Sequence, residues 1–98
     1  MSNREATMDK LDARVEQTEA ELDRLKAKAR SATKSEDQQS EIDADLASLE
    51  KRKGELKEQL AELRESGSVA WEDLQQGVES AVDSLSKSLK SAASRFGA

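Results

Sequence analysis

The chain has 98 residues, enough for one domain at most, and 38% of them are charged while Trp71 and Phe96 are the only aromatics. Such a composition excludes a thick globular core but suits narrow Leu/Ala stripes between long helices. Cysteine and histidine are absent, which excludes disulfides and argues against the usual zinc and iron sites; the net charge of −5 argues against general nucleic-acid binding.

The first apolar run is Met8, Leu11, Val15, Thr18, Leu22, Leu25, Ala29 and Ala32, with spacings of three and four in strict alternation. That is the a/d seam of a coiled coil, with Thr18 its one polar member. Low hydropathy and high charge also fit a disordered chain. Disorder does not require so regular a period, so a helix over about 4–32 is expected.

A second run follows: Ile42, Leu46, Leu49, Lys53, Leu56, Leu60 and Leu63. It repeats the alternation in a different phase, so one straight helix would swing this stripe away from the first. The intervening residues lack large apolar side chains and include turn-tolerant ones. A reversal at about 33–38 and a second helix at about 39–65 are expected, giving an antiparallel coiled-coil hairpin over 1–66.

The polar interruptions support one register. Met8 then meets Leu63, Leu11 meets Leu60, Val15 meets Leu56, Leu22 meets Leu49, Leu25 meets Leu46, and Ala29 meets Ile42. Thr18 and Lys53 fall opposite each other. On the flanks this register sets Glu21 near Arg52, Lys28 near Asp45, Asp12 near Lys57 and Lys26 near Asp43. Glu19 opposite Glu50 is the one clash.

Ser66-Gly67-Ser68 is the clearest punctuation. Gly67 can adopt a left-handed conformation after a helix end, and Ser68 can cap the next helix. Glu72 and Asp73 suit the positive end of that helix, and Lys87, Lys90 and Arg95 its negative end. Over 67–98 the apolar residues recur every eleven: Ala70, Ala81 and Ala92; Trp71, Val82 and Ala93; Leu74, Leu85 and Phe96; Val78 and Leu89. This period, at about 3.67 residues per turn, keeps a stripe nearly straight along one face. The expected fold is therefore all-α, with three long helices: the hairpin followed by an amphipathic helix.

No catalytic, cofactor-binding or metal-binding residues are expected, because no nucleophile–base pair, phosphate-cradling glycine loop or EF-hand spacing is present. Lys51-Arg52-Lys53 reads as a solvated helix face between Glu50 and Glu55 rather than a nucleic-acid patch. The expected contact face is Trp71, Leu74, Val78, Val82, Leu85, Leu89 and Phe96. It would serve self-association or docking on another helical protein; the alternative is a lipid or granule surface. Neither nucleic acid nor a small-molecule substrate is expected as a partner. Met1 to Lys10 contain no apolar run and no stretch reaches membrane-spanning length, so a cytoplasmic protein is expected.

The segment Ala70-Trp71-Glu72-Asp73-Leu74, with Gly77-Val78-Glu79 and the later Ala92-Ala93-Ser94-Arg95-Phe96, resembles a family of short bacterial coiled-coil stress-response proteins named after a cyanobacterial member. The motifs cover about the last 30 residues. The resemblance implies a bacterial cytoplasmic protein, linked to stress and without enzymatic activity. Family members often carry another aromatic in the second half of this segment, where this chain has Val82 and Leu85.

Overall fold

In the computed structural model, which describes residues 3–31 and 35–97, the chain forms three helices: α1 (Asn3–Ser31), α2 (Glu36–Glu65) and α3 (Ser68–Gly97). They pack side by side into a rod of 52 × 19 × 16 Å. A 30-residue helix is about 45 Å long, so each helix runs nearly the full length of the rod. The protein is all-α.

The three seams close on one another. Met8, Leu11, Val15, Leu22, Leu25 and Ala29 of α1 are buried together with Ile42, Leu49, Leu56, Leu60 and Leu63 of α2, and Leu46 packs half-buried beside them. From α3 come Val78, Val82, Leu85, Leu89, Ala92 and Phe96. Ala32 and residues 33–34 of the expected turn lie outside the described residues.

α2 begins at Glu36 rather than near residue 39. Ser35 accepts from the Gln38 backbone N–H, and the Gln38 side chain accepts from the Ser35 N–H at 3.1 Å. This reciprocal capping box satisfies two donors that a helix start otherwise leaves unpaired. Its Ser-x-x-Gln spacing is present in the sequence, so the boundary was open to detection there.

At the second connection the expected left-handed Gly67 is not seen; no described glycine has a positive φ. The chain turns at Ser66 instead, with φ −69° and ψ 150°. The Ser66 N–H and hydroxyl both donate to the Leu63 carbonyl, at 3.2 and 2.8 Å. Those bonds cap α2 without glycine's conformational freedom. Glu72 and Asp73 lie beyond the first turn of α3, which holds no acidic residue, so they gain little from the helix dipole.

The buried positions of α3 step alternately by four and three, from Val78 through Val82, Leu85, Leu89 and Ala92 to Phe96. A seven-residue period describes these fully buried positions, while the eleven-residue sets Trp71, Val82 and Ala93, Leu74, Leu85 and Phe96, and Val78 and Leu89 are also all buried or packed against the core. Ala70, Ala81 and Ala92, eleven apart, pass from exposed through half-buried to buried. An eleven-residue stripe drifts across a partner pair whose own seams follow 3.5 residues per turn.

The polar layer is satisfied within single helices. Thr18, only 4% exposed, donates from its hydroxyl to the Arg14 carbonyl at 2.8 Å. Lys53 is half-buried and reaches Glu50 on its own helix at 2.9 Å. No described buried side-chain nitrogen or oxygen lacks a partner.

Candidate functional site

The expected contact face divides in two. Val78, Val82, Leu85, Leu89 and Phe96 are 1–4% exposed and lie within the bundle's own core. Trp71 and Leu74, in the first turns of α3, are half-buried against the edge of that core. Just before them Val69 is 98% exposed. In the closed chain the apolar face of α3 is therefore covered by α1 and α2.

Arg4 binds the three helices at this end. Its guanidinium lies 4.3 Å from the centre of the Trp71 ring, a cation–π contact. It also donates to the carbonyls of Leu63 at 3.4 Å, Arg64 at 3.3 Å, and Ser66. The last carbonyls of a helix lack intrahelical donors and carry partial negative charge, so a cation there is favourable. Nothing in the local pattern around Arg4 marks it for this role, because its partners lie some 60 residues away in the chain.

The flank pairs differ from those expected, and side-chain direction explains the shift. Asp12 pairs with Arg64 at 2.6 Å, Glu19 with Lys57 at 3.6 Å, and Lys26 with Glu50. Side chains lean toward the N-terminus of their own helix. In antiparallel helices, a residue of α1 therefore meets a residue of α2 that starts nearer the N-terminal end of α1. The expected Asp12–Lys57 and Lys26–Asp43 contacts ignored this lean. The expected Glu19–Glu50 clash disappears for the same reason, and Glu50 instead bridges Lys26 and Lys53.

The opposite flank of the hairpin holds α3. Arg52 reaches Ser88 Oγ at 2.6 Å and Ser84 Oγ at 2.7 Å rather than Glu21. Asp45 meets Arg95 at 3.3 Å rather than Lys28. Arg14 pairs with Asp83. Each helix pair is thus joined by charge as well as by apolar packing, and the polar links run along the edges of the seams.

A groove lies on each side of α3. One lies between α1 and α3, with a volume of about 360 Å³, a floor of Leu25, Leu89 and Ala93, and a rim that includes Arg24 and Lys90. The other lies between α2 and α3 and is polar. Among the described residues no group of three or more acidic side chains is placed to hold a metal ion, and no helix is long and apolar enough to cross a membrane.

The architecture defines a three-helix bundle of antiparallel neighbours. No family model matches the chain, and no curated protein or solved structure matches it either.

Proposed function

We propose that this chain is a non-enzymatic interaction protein that self-associates by exchanging α3 between copies. It would act in bacterial stress response, as the resemblance of its third helix implies. One observation supports this reading most. The face formed by Val78, Val82, Leu85, Leu89 and Phe96 already fits the paired seams of α1 and α2. A second copy presents the same seams, so it offers α3 an equally complementary partner.

The connection favours exchange as well. Only Ser66 and Gly67 separate α2 from α3. If that turn straightens, α3 leaves its own hairpin and lies along a neighbour's, with the core contacts of the closed form rebuilt between chains. The polar links Arg14–Asp83, Arg52–Ser88 and Asp45–Arg95 would re-form in the same way.

Sedimentation across a wide concentration range tests this. The expected result is a monomer–dimer equilibrium with unchanged helix content. A single monomeric species at every concentration would overturn it. Vesicle flotation in parallel addresses the lipid alternative: flotation with a blue shift of Trp71 emission would transfer the role of the α3 face to a membrane or granule surface.

A further inference from the structure

The chain is acidic overall, yet its charge is unevenly placed. Between α2 and α3 lies a cleft of about 290 Å³ lined by Arg52, Lys87 and Arg95 together with Ser48, Ser88 and Ser91. Among the described residues Asp45 is the one carboxylate that lines it, and it is engaged by Arg95 at 3.3 Å. Three cations against one carboxylate leave a local excess of positive charge in a chain whose net charge is −5.

The hydrogen bonding leaves this charge uncompensated. Arg52 donates to two neutral hydroxyls, Ser88 Oγ at 2.6 Å and Ser84 Oγ at 2.7 Å. A guanidinium has five N–H groups, and each hydroxyl keeps a proton of its own to donate. Lys87 is exposed and makes no ion pair among the described residues. The cleft therefore presents charged and neutral donors from two helices toward one space.

We propose that this cleft binds a phosphate-class oxyanion, either inorganic phosphate or the phosphate of a monoester. Arg52, Lys87 and Arg95 supply the charge, and the serine hydroxyls add neutral donors. A tetrahedral phosphate offers oxygens in several directions, and arginine forks match its geometry. An extended polyanion fits poorly, because Glu55 and Glu62 lie exposed farther along α2 and repel it. The cleft is complete within one closed chain, so it does not depend on the exchange of α3.

The full chain is titrated with sodium phosphate, against sodium chloride at matched ionic strength, and followed by amide and arginine side-chain NMR shifts. Saturable shifts confined to the Arg52–Ser88–Arg95 region are expected with phosphate alone. Lys87→Gln changes an exposed side chain and should leave the fold intact while weakening binding several-fold. Arg52→Gln should weaken it by roughly ten-fold or more. Arg24→Gln, on the other groove, should leave it unchanged. Equal, non-saturating responses to both salts would overturn the proposal, as would wild-type phosphate affinity in a folded Lys87→Gln variant. Vesicles containing phosphatidate identify the source: sedimentation with them, reversed by free phosphate, assigns the ligand to a lipid headgroup, and failure to sediment assigns it to soluble phosphate.

Discussion

The two flanks of the α1–α2 hairpin use charge in different ways. One flank is zipped directly: Asp12–Arg64, Glu19–Lys57 and Lys26–Glu50 repeat every seven residues, with acid and base changing sides once, between Glu19 and Lys26. The other flank is held apart by α3, and its charges reach the third helix instead, through Arg14–Asp83, Arg52–Ser88 and Asp45–Arg95. Ion pairs at exposed edges add little stability individually. Their order does more to select orientation and register, since a shift by one heptad would set Glu19 against Glu50. The serine-rich partners on the α3 side leave that flank less fully neutralised, and this is where the basic cleft forms.

The largest effects should come from damage to each apolar seam in turn. Leu22 and Leu85 are each 1% exposed, so Leu22→Ala and Leu85→Ala should each cost about 2–5 kcal/mol in denaturant unfolding. Hydrogen exchange should separate them. Leu85→Ala is expected to speed exchange first in α3, whereas Leu22→Ala should speed it in all three helices. Uniform loss in both variants would mean that α3 has no independent opening.

Trp71→Ala probes the end of the bundle that holds the connection between α2 and α3. The ring is half-buried and shares Arg4 with the end of α2. The expected loss is roughly 1–2 kcal/mol, below that of a fully buried aromatic. A loss as large as that of Leu22→Ala would show that the Arg4 cluster, rather than the seams, secures α3.

The smallest effects should come from the flanks themselves. Glu19→Gln and Asp83→Asn should each cost about 0.2–1 kcal/mol, with the difference shrinking at high salt. A double-mutant cycle on Arg14 and Asp83 should return a coupling within that same range of about 0.2–1 kcal/mol. Coupling well above that range would mark the α3 flank as a designed latch.

Much of this architecture was legible in residue spacing. The alternation from Met8 to Ala29 and from Ile42 to Leu63 follows from helix geometry alone, because apolar residues three and four apart share one face. Burial of those residues obeys the pattern, with Leu46 only half-covered. On α3 the spacing gives an eleven-residue period, and the fully buried positions also fit a seven-residue one. Residues Trp71, Leu85 and Phe96 satisfy either one, and contact with the other two helices decides only how deeply each member is buried. Ser35–Gln38 was a local signal that carried the start of α2. Arg4 carried none, since its partners are distant in the chain.

The apolar face of each helix can be read from residue order alone, because a face depends only on spacing along one backbone. Which flank faces which depends instead on how the three helices pack. Side chains lean along their helices, so charge partners shift away from the residues directly opposite, and α3 takes one flank of the hairpin while leaving the other to ion pairs. The face of α3 that looked like an unmet contact surface is buried in the closed chain for the same reason: three narrow seams satisfy one another only when all three helices are brought together.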